Sequence, residues 1–117
     1  MEKIVEQGLL YDFYGELLTE HQKQVYEGVV YENLSLGEIA HEQGISRQGV
    51  HDIVKRCDKA LQEYEEKLKL IARFMKIQKQ IQEIDKLSEL YEQNEIEDKS
   101  VYCQKVRQLS ADILKEL

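Results

Sequence analysis

The stretch from Leu34 to Lys59, LSLGEIAHEQGISRQGVHDIVKRCDK, reads as two capped helices joined by a glycine turn, the pattern of a helix-turn-helix. Ser35 precedes Glu38 by three residues, so its hydroxyl can accept from an early backbone N–H while the glutamate reaches back, a capping box. Ile39 and Ala40 then face inward, the small Ala40 where two helices must cross closely. Gly44 supplies the left-handed conformation that ends the first helix. Ile45 plugs the turn and Ser46 caps the chain again, so the second, recognition helix starts near residue 46. Val50, Ile53 and Val54 turn toward the first helix, which leaves Arg47, Gln48, Gly49, His51, Asp52 and Lys55 outward. In such a motif the outward residues at the start of the second helix are those that reach base edges in a major groove.

The candidate nucleic-acid-binding residues are therefore Ser46, Arg47, Gln48, His51, Asp52, Lys55 and Arg56. Ser46 and the backbone amides at the helix start suit a phosphate, and Arg47 suits a guanine edge. Gln48 and His51 suit further base or phosphate contacts, with Lys55 and Arg56 positioned for the nucleic-acid backbone.

Composition narrows the function classes. The chain has 117 residues, a length for one domain with an appended helical arm. No apolar run approaches the roughly 20 residues that span a bilayer, and MEKIVEQG lacks the basic and apolar regions of a signal peptide, so a cytoplasmic protein without membrane insertion is expected. Cys57 and Cys103 show neither CxxC spacing nor histidine clustering and read as reduced thiols. His21, His41 and His51 form no ligand pattern. With no glycine-rich phosphate loop and no nucleophile–base arrangement, the sequence predicts neither a cofactor, a metal nor an enzyme.

Charge is unevenly spread. Residues 1–45 carry two basic residues against nine acidic ones, residues 46–86 carry ten against seven, and residues 87–117 carry four against seven. The recognition helix and its continuation thus hold the only basic footprint in a chain of net charge −7.

On either side of the motif the periodicity is helical. Residues 3–18 place Ile4, Val5, Leu9, Leu10, Phe13, Tyr14, Leu17 and Leu18 on a wide apolar face, and their aromatic residues read as core. Thr19 with Gln22 repeats the capping-box spacing and opens a helix with Val25, Tyr26, Val29 and Val30 as its stripe, expected to end near Glu32 and Asn33. Beyond Lys59 there is no glycine or proline. The recognition helix is expected to run past Leu61, with a kink or short break near residues 70–73 where three successive three-residue steps interrupt the heptad. Glu63, Glu65 and Glu66 are expected to face water. Residues 92–100 form a polar turn with Asn94 and Asp98 as end and cap, and a last helix carries Val101 or Tyr102, Val106, Leu109, Ile113 and Leu117.

The fold class expected is all-α: a helix-turn-helix unit with an N-terminal helix over residues 1–70, and a helical hairpin over residues 71–117. A hairpin whose apolar faces exceed what the first unit covers predicts a homodimer through residues 77–117, with the N-terminal helix as the alternative surface.

The run LTEHQKQVYEGVVYENLSLGEIAHEQGISRQGVHDIVKRCDKAL resembles the DNA-reading fourth region of bacterial sigma factors. More narrowly, YDFYGELLTEHQ before it and ALQEYEEKLKL after it are similar to the YlxM family of small cytosolic proteins from Gram-positive bacteria and their relatives. The first resemblance implies base-facing roles for Arg47, Gln48, His51 and Asp52. The sequence departs from it at Asp52, where sigma factors commonly have glutamine, and at Gly49, where a basic residue is frequent. The second implies a helix-turn-helix regulator whose partners include DNA and components of the signal recognition particle. Its alternative is a protein- or RNA-interacting accessory of that particle without sequence-specific DNA binding, which would dock a basic partner on Glu16, Glu20, Glu27 and Glu32.

Overall fold

A computed structural model describes residues 2–117. Among them are six α-helices and no strand: α1 (Lys3–Tyr14), α2 (Glu20–Val30), α3 (Leu36–Gln43), α4 (Arg47–Leu68), α5 (Leu70–Glu92) and α6 (Lys99–Glu116), with one 3₁₀ turn at Gly15–Leu17. They divide into two compact units, one ending at Ile71 and the other running from Ala72 to Leu117.

The caps read from the sequence form as expected. Thr19 accepts from the Gln22 amide at 3.2 Å while the Gln22 side chain accepts from the Thr19 amide at 2.9 Å. Ser35 and Glu38 repeat this at 3.1 and 3.2 Å. Each box satisfies two donors that a helix start would otherwise leave orphaned. Gly44 sits at φ 67°, ψ 33°, and both its amide and that of Ile45 bond the Ala40 carbonyl, which closes α3 and turns the chain into α4. Asp98 caps α6 by accepting from Ser100 at 2.8 Å.

In the first unit α4 is the shared wall of two cores. Its first turns, through Val50, meet Val25 of α2 and Ile39 and Ala40 of α3. Further along, Cys57 and Leu61 meet Leu10, Tyr11 and Tyr14 of α1, together with Leu18 and Tyr26. Val25, Tyr26, Val50, Cys57 and Leu61 are completely buried. Burial of a side chain of this size contributes about 1.5–3 kcal/mol. Gly28 lets α2 and α3 approach closely, since a methyl group there would stand 3.1 Å from Ile39.

Three buried tyrosines of this unit keep their hydroxyls satisfied by carboxylates. Tyr11 donates to Glu27 at 2.6 Å, Tyr14 to Glu65 at 2.5 Å and Tyr26 to Asp58 at 2.5 Å, where the Gln7 amide also donates at 3.0 Å. Burial, and then the adjoining carboxylate, raise all three phenols above the ordinary tyrosine value. Tyr31 donates to Asp12 in the same manner at the surface.

Five expectations need correction. The N-terminal helix stops at Tyr14 rather than Leu18, because the chain tightens into the 3₁₀ turn. Its buried face is Gln7, Leu10, Tyr11 and Tyr14, while Ile4 and Val5, and Leu17 in the turn, stay 42–56% exposed. Helix α2 ends at Val30, two residues early, and Asn33 takes a left-handed φ of 52°. The break expected at residues 70–73 falls at Lys69, with φ 55° and ψ 31°. Glu65, expected in water, is half-buried and accepts from both Tyr14 and the Ile71 amide, the latter at 3.0 Å. Tyr14 in turn accepts from the Leu70 amide at 3.1 Å. The first two free amides of α5 are thus capped by a residue of α1 and one of α4.

The second unit contains the rest of α5 and α6. Tyr91 and Tyr102 stack at 4.9 Å, Ser88 and Tyr102 share a hydrogen bond, and Lys76 pairs with Glu116 at 2.6 Å. No residue from Ala72 to Leu117 is buried.

Candidate nucleic-acid interface

Helix α4 is positioned by its inward stripe and its cap. Val50 and Cys57 are seated in the two cores, with Ile53 and Val54 half-buried beside them, so the opposite side of the cylinder must face out. Ser46 accepts from the Gly49 amide at 2.9 Å, which fixes the first turn. A methyl group at Gly49 would crowd this hydroxyl at 3.1 Å, so the missing side chain at that position serves the cap.

Ser46, Arg47, Gln48, His51, Asp52, Lys55 and Arg56 are all exposed. The 3.6-residue period brings Gln48, His51, Asp52 and Lys55 together on the outward face, with Arg47 and Arg56 toward its two edges. Arg47 lies back along the start of α3, where a methyl group at Gly37 would stand 3.8 Å from its Nε. Within the face, Gln48 donates its amide to Asp52 at 3.0 Å, and His51 Nδ1 stands 3.8 Å from the same carboxylate oxygen. Asp52 therefore draws the polar groups of the face to itself.

Lys59, one turn beyond Lys55 on the same face and exposed, belongs with these residues although the sequence reading passed over it. The four-residue spacing from Lys55 was the available signal. Helix α3, which in this motif crosses the nucleic-acid backbone, carries Glu38 and Glu42 and no lysine or arginine. The acidic surface of the front helices is also altered. Glu16 and Glu20 flank Lys23 at 3.0 and 3.7 Å, Glu32 is exposed, but Glu27 is half-buried and bonded to Tyr11.

Among the described residues no group of His, Cys, Asp or Glu is placed to hold a metal ion, and no helix is long and apolar enough to cross a membrane. Cys57 is a buried free thiol whose pKa burial pushes up to about 11, and Cys103 is an exposed free one.

Residues 1–102 match the family model described as "Putative helix-turn-helix protein, YlxM / p13 like". Similar chains carry the name UPF0122 protein. One from Desulforamulus reducens is 43% identical over 95 residues, 81% of each chain. One from Clostridium botulinum is 44% identical over 99 residues, 85% of this chain and 89% of that one. One from Bacillus cereus is 41% identical over 87 residues, 74% of this chain and 79% of that one.

Proposed function

Since the chain belongs to the YlxM/p13-like helix-turn-helix family, we propose that it is a non-enzymatic cytoplasmic regulator that binds duplex DNA as a homodimer through the outward face of α4. The observation that carries this reading is the geometry of that face. A capped recognition helix, fixed by two cores, leaves Arg47, Gln48, His51, Lys55, Arg56 and Lys59 exposed over its first turns. Arg47 is the residue for a guanine edge, and Lys55, Arg56 and Lys59 are the phosphate contacts.

The test is fluorescence anisotropy with a labelled mixed-sequence duplex across a salt series, for the wild type and for Arg47→Ala. Binding should weaken with a log–log slope of about −0.9 per neutralised phosphate, and Arg47→Ala should weaken it further. Absence of binding at low salt overturns the proposal.

The acidic α3 and the Gln48–Asp52 bond favour a second reading. In it the motif is a scaffold, and the protein is an accessory of the signal recognition particle, a partner class suggested by the YlxM resemblance. Exposed Glu16, Glu20 and Glu32 would then meet a basic partner. Retention of the particle's GTPases or RNA on the immobilised wild type, lost on charge reversal at these glutamates, would support it over the first.

A further inference from the structure

From Phe74 onward α5 steps by three and four residues in strict alternation, Phe74, Ile77, Ile81, Ile84, Ser88 and Tyr91, which is the a/d seam of a coiled coil. At the C-terminal end of this seam Tyr102 of α6 stacks on Tyr91 and shares a hydrogen bond with Ser88. Its N-terminal part forms a groove lined by Phe74, Ile77, Gln78, Ile81 and Gln82. Ile81, in the middle of α5, is 53% exposed.

We propose that a second copy of this chain occupies the groove, with the two α5 helices packed antiparallel about a two-fold axis near Gln82. Three observations select this occupant. The unit from Ala72 to Leu117 has no fully buried residue, so two helices alone give it little interior, whereas two such hairpins make a four-helix bundle with a full one. The heptad runs the length of the groove, and seams of this kind pair with helices of the same kind. Charge then sets the direction. The first half of α5 carries Arg73, Lys76 and Lys79 and no acid, while the second half carries Glu83, Asp85, Glu89 and Glu92 against Lys86 alone. Antiparallel pairing lays each basic half beside the partner's acidic half, and parallel pairing would oppose like charges. The heptad register agrees, because an axis near Gln82 sets Ile81 against Ile84 of the other copy.

This interface deepens the homodimer reading and stands apart from what α4 binds. Sedimentation at micromolar concentration should give twice the chain mass for the wild type and the single-chain mass for Ile81→Glu. Nitroxide labels at Gln82→Cys or Glu92→Cys in a Cys103→Ser background, with Cys57 buried and unreactive, then report direction. The Gln82 labels should lie close to each other, and the Glu92 labels should be separated by about 28 Å along the axis. Short distances at both sites overturn the antiparallel arrangement. A dimeric Ile81→Glu moves the interface elsewhere while the homodimer stands, and a monomeric wild type removes both.

Discussion

Gln48 and Asp52, one turn apart on α4, are hydrogen-bonded at 3.0 Å, so the side chain best placed to read an adenine edge is already held within its own helix by one of its amide N–H groups. Replacing Asp52 by alanine frees the amide and removes the one negative charge among the outward residues of these turns. Affinity for a mixed-sequence duplex at low salt should rise about three- to fivefold, in keeping with up to about 1 kcal/mol for an exposed charge. Anisotropy titration at constant ionic strength measures this. Unchanged or weaker binding would show that the Gln48–Asp52 bond does not restrain the interface.

The Tyr26–Asp58 bond predicts a contrast with the surface pair Tyr31–Asp12. Tyr26 is completely buried, and without its hydroxyl Asp58 keeps only the Gln7 amide. Tyr26→Phe should cost about 1–3 kcal/mol in urea unfolding, because a carboxylate loses its donor out of water. Tyr31→Phe, exposed, should cost less than about 1 kcal/mol. Equal losses would refute the distinction.

The raised phenols predict a loss of stability in alkali. In the unfolded chain tyrosine ionises near 10 and cysteine near 9, but Tyr31 is raised to about 12, Cys57 to about 11, and Tyr11, Tyr14 and Tyr26 also upward. The folded state therefore holds protons that the unfolded state releases. Stability should be full below about pH 9 and fall as pH rises through 10 and toward 12. Melting temperatures across pH 7–12 test this, and a flat profile to pH 12 would contradict it.

Tyr14 joins three elements, and Tyr14→Phe takes away both the donor to Glu65 and the acceptor for the Leu70 amide. Hydrogen exchange should accelerate at Leu70 and Ile71 by about tenfold or more, the equivalent of one hydrogen bond of about 1.4 kcal/mol, relative to amides near Val50. Uniform acceleration along α4 would mean that the substitution loosens the whole unit and not the junction.

The helix-turn-helix was legible because its signals are local. Thr19 with Gln22, Ser35 with Glu38, Gly44 and Ser46 each act on backbone within a few residues, so spacing alone reveals them. The Gln48–Asp52 bond was legible in principle for the same reason, at four residues' separation. Polar partners brought together only by packing were not. Glu65 reads as one of three surface glutamates until α1 delivers Tyr14 from 51 residues away, and Asp58 depends in the same way on Gln7 and Tyr26. Leu10 and Tyr14 were legible on the buried side of α1, but Gln7 and Tyr11 were not, since their polar groups are satisfied there only by Asp58 and Glu27 from other helices, while Ile4 and Val5 stay exposed. At Lys69 no glycine or proline marks the break; the interrupted heptad pointed to one close by, and its place rests on the capping supplied by Tyr14 and Glu65.

The three tyrosine–carboxylate pairs also bind the history of the positions involved. A phenylalanine at 26 strands an acid and an alanine at 58 strands a hydroxyl, so either change alone is costly, while loss of both together leaves an apolar contact that a helical core tolerates. Across descendants of this fold, residues 11 with 27, 14 with 65 and 26 with 58 should be replaced as couples, and residue 7 should follow 58. Substitution in these positions should thereby be channelled into paired steps, whereas Ile4, Val5 and Leu17, exposed on the same stretch of chain, should be free to change one at a time.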